Sequence, residues 1–496
     1  MSWQNYSLIR LIIPFTLGMI GANLFISHMN GVVLFILCCV VLAFSFFFLK
    51  TSETYKDGRF GLVAMVLFCL IGMTLYTGKY HHIEKGTPVD STFVKGILVE
   101  PPKEKAHSWA LELKQENGIH IILYIGGEIR EGLSLGDTIY ANIRHLHPTN
   151  HCEDDSFQTY NTYLFHHGIC ATAYAPHHQW VVKPCTTPRS FFLFAKNVQE
   201  RLHQIYEEHG ISDEAGSIIE AMTIGRKTDL SKDTRNAFAH AGISHILALS
   251  GFHVGIIVLM IQVFFLKTLL PIRWQWVSNL FIIATLWGYA FLTGLSPSLV
   301  RATTMFTILL LCQSLQRDAF SPNSCALAFL IMLCINPFYL HDIGFQLSFI
   351  AVGSIGLLGN RLLNLHKSSN KFVHYAWLIT IVAVSLISSI FTAPLVAHYF
   401  GRFTLISLLG NLIIFPFVYL LMLGSILWWL FLWCDSINNL LTDLLNWTAN
   451  TMSSITEHLA SIPFATIEWS PNILTTLLCY VVLLIFSYFF LQIKRN

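Results

Sequence analysis

Nine segments of this chain, 8–27, 31–49, 60–77, 243–271, 275–294, 298–315, 373–398, 404–433 and 470–491, are apolar over close to the length a helix needs to cross a bilayer. A hydrocarbon core takes about 20 residues of helix, so each is a candidate span. Two shorter apolar segments, 322–336 and 343–360, either span or re-enter, which gives roughly 9 to 12 crossings. Segment 404–433 contains Pro416 and reads as one kinked helix or two. The first segment has no basic leader and a second span follows it closely, so it reads as a retained helix rather than a cleaved signal peptide. Composition agrees: 54% of residues are hydrophobic and 12% charged, about half the charged share of a soluble domain. A net charge of +2 does not by itself advertise nucleic-acid binding.

Residues 88–188 differ. They are polar, and "STFVKGILVE", "HSWALELKQ", "GIHIILYI", "GDTIYANIR" and "GICATAYA" alternate as about five short strands do. Gly126-Gly127 and Gly136-Asp137 signal turns between them. That is the size of a small β-barrel or sandwich inserted after the N-terminal helices. The loop "KTSETYKDGR" carries Lys50, Lys56 and Arg59 and is expected in the cytoplasm, which places the β domain on the extracytoplasmic side. Eight of the 11 cysteines lie in apolar segments or at their ends. Cys152, Cys170 and Cys185 lie in the β domain, where an oxidising compartment permits a disulfide; Cys152 and Cys170 are candidates, although spacing does not choose the pair. The terminal "LQIKRN" has a cytoplasmic character, but the parity of the later spans stays open.

The expected organisation is therefore N-terminal transmembrane helices over 1–80, the β domain over 88–188, amphipathic linker helices over 190–240 and a transmembrane core over 241–496. In the linker, "FFLFAKNVQERLHQIYEEHG" has apolar residues at helical spacing beside a charged face, as a helix lying on a membrane or against the core has. A second short helix and a basic turn at Arg226-Lys227 follow, both expected at the surface.

Polar residues within the core are the candidates for function, because they are costly in a bilayer. "HILALSGFHVGII", 245–257, sets His245, Ser250 and His253 among glycines. Gly251 and Gly255 suit close helix packing. Ser250 and His253 share a helix face, the pairing a serine hydrolase uses, but adjacent turns of one helix rarely orient such a pair and no third member is evident. A helix broken at Gly251, with its freed polar groups lining a hydrated path, fits better. "LTGLSPSLVRATTMF" places Arg301 one turn into a helix begun by Ser296 and Pro297. "NPFYLHDIGFQLSF" puts Asp342 and Gln346 on one face, and Asn411 interrupts "GRFTLISLLGNLIIFPF". Arg301 and Asp342 are expected to pair with each other or with groups around a wet cavity, a shared path being weighed against a single structural ion pair.

Taken in order, "AGISHILALSGFHVGII", "GLSPSLVRA", "DIGFQLSF" and "GNLIIFP" resemble the motifs of the ComEC family of bacterial competence proteins. "LIRLIIPFTLGMIGANLF", "LSLGDTIYANI" and "DSFQTYNTYLFHHGICATAYA" resemble its N-terminal part, so the likeness covers nearly the whole chain. The resemblance implies a polytopic α-helical membrane protein with an inserted extracytoplasmic OB-like β domain. It also implies passage of single-stranded DNA across the cytoplasmic membrane in natural transformation. An OB-like groove stacks bases on aromatics and tracks the backbone with cations, with Trp109, Tyr124, Arg144, Tyr160, Tyr163 and Tyr174 as candidates. His245, Ser250, Gly251, His253, Arg301, Asp342, Gln346 and Asn411 then mark the substrate path. Implied partners are single-stranded DNA, the lipid bilayer, an extracytoplasmic DNA-binding competence protein and cytoplasmic DNA-processing proteins; self-association stays open.

Many members carry a metallo-β-lactamase-like domain with an HxHxDH motif. "HLHPTNH", 145–151, lacks the Asp-His ending and is read as a loop. No catalytic residue, metal or cofactor is expected, and the chain is read as a non-enzymatic form. A membrane transporter or processing protein for another extracytoplasmic substrate remains the second class, although no internal repeat favours it.

Overall fold

The structure, a computed structural model, describes residues 7–26, 59–86, 92–126, 133–149, 155–185, 191–263, 275–316, 322–367, 376–462 and 466–492 apart from single positions, with parts of 31–41. It divides into two compact units, Met1–Phe194 with Ala326–Asp342, and Ala195–Cys325 with Ile343–Asn496. Residues 326–342, assigned to the core on hydropathy, thus group with the N-terminal part.

The first unit opens with two helices packed backbone to backbone, α1 (Ser7–Leu24) and α2 (Arg59–Lys85). A Cβ on Gly18 would lie 2.0 Å from the Cys69 carbonyl oxygen, and one on Gly72 would lie 2.2 Å from that of Phe15. In lipid, apolar faces gain little by meeting each other, and close approach at small residues supplies the packing. The outward faces keep Leu17, Leu24, Leu62 and Val66 exposed, as contact with acyl chains requires. Near the far end of α2 the buried Tyr76 hydroxyl donates to Asn23 Oδ1 at 2.7 Å.

Among the described residues the β domain holds eight strands: β1 (Phe93–Leu98), β2 (Lys103–Glu104), β3 (Trp109–Lys114), β4 (His120–Ile125), β5 (Thr138–Asn142), β6 (His145–Pro148), β7 (Ile169–Ala175) and β8 (Trp180–Lys183). All five strands expected from alternation are present as β1, β3, β4, β5 and β7. The others span two to four residues, too few for a period to register. "HLHP" is strand β6, not loop. The sheet order is β6-β7-β4-β3-β1-β5-β8, with β2 on β3. Its terminal strands do not pair with each other among the described residues, so the closed OB-like barrel expected from the resemblance is replaced by an open sheet. β7 runs parallel to β4, and the crossover between them carries helix α3 (Asp155–His166). Asp137, buried after the positive-φ Gly136, accepts from Ser134 N–H and Cys185 N–H, both at 2.9 Å, and ties the β5 turn to the segment after β8.

The second unit is helical: α4 (Phe191–Glu208, within which the division falls), α5 (Asp213–Thr223), α6 (Lys232–His240), α7 (Gly251–Ile261), α8 (Gln275–Leu292) and α9 (Pro297–Ser314). After α10 (Pro322–Ile335), in the first unit from Ala326 onward, come α11 (Ile343–Lys367), α12 (Ala376–Phe400), α13 (Ser407–Leu430), α14 (Asp435–Ala460) and α15 (Ile473–Gln492). α5 is buried from Ala215 to Thr223, so it is a core helix rather than the surface helix expected. Its charged residue there, Glu220, pairs with His203 Nδ1 at 2.8 Å and Arg226 Nη1 at 3.5 Å. Pro416 lies inside the single helix α13. Four described helical segments, Gly61–Lys85, Gln275–Leu292, Val382–Phe400 and Ser407–Leu430, are long and apolar enough to cross a membrane; five shorter apolar helices accompany them. The expected span 243–271 does not form throughout, since residues 241–250 are turns and the helix starts at Gly251.

Gly72→Val should push α1 and α2 apart and destabilise the first unit by about 1–3 kcal/mol, the usual cost of overpacking. Gly78→Ala, where a Cβ meets no heavy atom within 4 Å, should be neutral by comparison. Limited proteolysis of the two variants in detergent checks the difference.

Candidate functional site

The register of the sheet sorts its side chains into two faces. Leu111, Leu113, Ile121, Leu123 and Ile125 are buried on one. On the other, Lys95 lies opposite Tyr140, Ile97 opposite Lys114, Ala110 opposite Tyr124, and Tyr124 opposite Tyr174. Paired residues share a face, so this side of the open sheet carries Phe93, Tyr140, Tyr124 and Tyr174 together with Lys95, Lys114 and, on the edge strands, Lys103 and Lys183. The Lys95 ammonium stands 5.8 Å from the Tyr140 ring centre and 2.6 Å from Glu116 Oε1. Trp109 has the parity of the buried face, away from Tyr124.

Helix α3 extends the aromatic surface. Tyr160 and Tyr163 are about half exposed, with near-parallel rings 6.5 Å apart, and the His167 ring follows 4.1 Å from Tyr163. Burial and the bond to Tyr160 push the Tyr124 hydroxyl up to about 12, so this phenol is neutral at physiological pH. Burial, then the Asp342 carboxylate, raises Tyr163 as well. Behind the run, His166 stacks flat on His341 at 4.0 Å, and Tyr76 Oη lies 3.0 Å from His341 Nε2. Burial, with the His341 and His167 rings nearby, holds His166 down at about 3, which keeps it uncharged.

In the second unit the turn 241–250 leads into α7. Ser250 is the N-cap: its Oγ accepts from Phe252 N–H at 3.3 Å, while Ser250 N–H donates to His253 Nδ1 at 3.3 Å. The two side chains also meet, Oγ to Nδ1 at 3.1 Å. This is a capping box with histidine in the place usually held by a glutamate. Because Nδ1 accepts, the ring proton sits on Nε2, which is buried and finds no hydrogen-bond partner among the described residues. A nucleophilic serine needs its histidine oriented by a third group; here the pair satisfies a helix end instead. The Phe252 ring stacks on Phe415 of α13 at 4.5 Å, and α7 also packs on α9.

Arg301, buried on α9, donates from Nη2 to Ser298 Oγ at 3.0 Å. Asn411, buried on α13, donates to Ser385 Oγ at 3.5 Å. His253, Arg301 and Asn411 therefore lie on α7 and two of the helices it touches. Gln346 is half-buried on α11 and His245 is exposed in the turn. Asp342 belongs to the first unit, where its N–H donates to Tyr339 O at 3.0 Å. Arg144 and Cys152 lie outside the described residues, while Cys170 is buried on β7. Phe93, Lys95, Lys114, Tyr140 and His167 were not among the sequence candidates. The alternation of β1 and β5 carried the signal, since it sets Phe93, Lys95 and Tyr140 on the less buried parity.

A family model described as Competence protein matches residues 222–494, more than half of the chain. ComE operon protein 3 of Bacillus subtilis (strain 168) is 26% identical over 326 residues, covering 65% of this chain and 38% of that protein. An uncharacterized protein of Aquifex aeolicus (strain VF5) is 29% identical over 232 residues, covering 45% of this chain and 54% of its own. The matched part thus falls short of two thirds of either relative. No solved structure matches.

Ser250→Ala should cost about 1 kcal/mol, the worth of an N-cap, and leave the protein in the membrane. A Cβ on Gly251 would touch only Ala302 Cβ at 3.8 Å, so Gly251→Ala should be tolerated whereas Gly251→Leu drives a side chain against α9. Thermal stability of the three variants checks this order. Labelling of Ser250 by a fluorophosphonate would instead reveal a hydrolase.

Proposed function

The chain belongs to the Competence protein family, and on that premise we propose that it carries single-stranded DNA across the bacterial cytoplasmic membrane during natural transformation. The observation that bears most weight is the outer face of the sheet. It joins Tyr124, Tyr174, Phe93 and Tyr140 to lysines and continues onto Tyr160 and Tyr163. Exposed rings stack on bases of any sequence, and cations beside them follow the phosphates, which is how strands are held without sequence preference. Basic residues in the loop 50–59 support an extracytoplasmic position for this face. The apolar helices support a multi-pass arrangement.

The inward path uses the second unit, where His253, Arg301 and Asn411 bring polar groups onto packed apolar helices. Polar side chains at such depth are retained where they meet substrate, water or one another. The chain acts as a conduit rather than an enzyme; the cap at Ser250–His253 supports this by giving the one Ser–His pair noted above a structural use. A DNA-binding protein outside and strand-processing proteins inside complete the route.

Full-length protein in detergent should bind an oligothymidylate, with affinity falling steeply as salt rises through release of counterions. Tyr124→Ala with Tyr174→Ala should weaken binding by roughly tenfold or more, since a stacked base contributes about 1–3 kcal/mol. In a deletion strain, entry of labelled DNA into the cytoplasm should be lost while surface binding, scored separately, persists. Normal entry would refute the reading, and failure to transport DNA alongside loss of another solute would favour a transporter.

A further inference from the structure

The parity that puts Tyr124 on the outer face of the sheet puts His120 there too, since both alternate in β4 with the buried Ile121, Leu123 and Ile125. At His120 that face meets a cleft of about 140 Å³ within the first unit. Lys79 and His82 line it from α2, His166 and His167 from the end of α3, and Asn336 from the segment after α10. None of its lining side chains is acidic, and the Lys79 ammonium makes no ion pair among the described residues. His120 Nδ1 lies 2.7 Å from Glu112 Oε1, and His167 Nδ1 lies 2.8 Å from the Tyr163 carbonyl oxygen, which leaves Nε2 of each ring for a ligand. The carbonyl end of a helix repels anions, but at α3 the Tyr163, Leu164 and Phe165 carbonyls are taken up by the N–H groups of His167 and Gly168 and by the His167 ring. His167 belongs to both surfaces: its ring follows Tyr163 at 4.1 Å in the aromatic run, and it lines the cleft. A strand whose bases stack on Tyr160 and Tyr163 therefore meets the cleft at the next step of its backbone.

We propose that this cleft holds a backbone phosphate of the single strand, with the Lys79 ammonium as counter-charge and Nε2 of His120 and His167 as hydrogen-bond donors. The proposal rests on the DNA reading above and assigns the part of the site that grips the backbone beside the rings that stack on bases. Carboxylate and carbonyl oxygens only accept, so each ring donates from Nδ1 to its protein partner. Each then donates to a phosphate from Nε2 only as an imidazolium. Binding thus takes up protons and weakens as pH rises. The charged and titratable groups around the two rings are Glu112 and Lys114 of β3, Lys79, His82 and the paired His81 and Glu84 of α2, His166 of α3, and His341 with Asp342 beyond α10. Glu112 touches His120 on the nitrogen that the phosphate does not use.

The test is binding of a labelled oligothymidylate to full-length protein in detergent, measured against salt and from about pH 6 to about pH 8, the range in which imidazoles titrate. Lys79→Gln should weaken binding roughly tenfold and lower the salt slope by about one. Tyr124→Ala with Tyr174→Ala should lower affinity and keep the slope. His120→Gln, which keeps a donor for Glu112, should flatten the pH dependence; His82→Gln, on an exposed position, should weaken binding at the acid end and carries the test if Lys79→Gln does not fold. An oligothymidylate with an uncharged methylphosphonate backbone should bind wild type and Lys79→Gln alike. An unchanged salt slope in Lys79→Gln, or an unchanged pH profile in His120→Gln, would overturn the proposal and leave the DNA reading standing. Absence of oligothymidylate binding by the wild type would overturn both. Displacement of the oligonucleotide by phosphatidylglycerol from the wild type but not from Lys79→Gln would assign the cleft to a lipid headgroup and overturn the proposal.

Discussion

A helix that begins among apolar segments must satisfy its first N–H groups without water, and the second unit is arranged around one such beginning. Uncapped, the start of α7 would expose backbone donors at a cost comparable to several lost hydrogen bonds. Ser250 and His253 meet that need from within the chain. The preceding turn then has to be compact: Gly242 takes a positive φ of 73°, and a Cβ there would collide with Ser407 and Thr404. Gly410, next to Asn411, comes close to Ile243 and the Ala241 carbonyl for the same reason. The position of Asn411 and the stacking of Phe252 on Phe415 both follow from where the helix is allowed to start.

That break was legible because serine and glycine stood together inside an apolar run, and the structure begins the helix at Gly251. The use made of the histidine was not legible. A capping box is written with glutamate or glutamine, and a histidine at that position reads first as a ligand or a base. The long strands were equally legible from alternation, but closure of the sheet was not. Pairing partners lie far apart in sequence, and β2, β6 and β8 are too short to announce themselves. Trp109 shows the limit of naming candidates by residue type: its ring is aromatic, but its place in β3 turns it from the face where Tyr124 sits. His120 shows the converse. Its partner Glu112 is eight residues away in sequence and 2.7 Å away in space, through a hairpin register that no spacing rule describes.

Lysines and phenols share the outer face of the sheet without merging. Lys95 is engaged by Glu116 and by the Tyr140 ring, so it offers a polarised surface rather than a free charge. A polymer moving over such a face exchanges one weak contact for the next, which suits passage better than a few strong contacts would. On the proposed reading, each stacked base would contribute enough to hold briefly and too little to arrest.

The first unit is not contiguous in sequence, and this bears on the order in which the protein is made. Residues 1–194 need 326–342 to complete the unit, and the bond between Tyr76 and His341 joins positions 265 residues apart. At about 5–20 residues per second, synthesis of the roughly 130 intervening residues takes on the order of ten seconds. Through that interval α2 waits with the buried side of Tyr76 uncovered, while α4 to α9 leave the ribosome. The first unit is therefore completed late, only when residue 342 arrives.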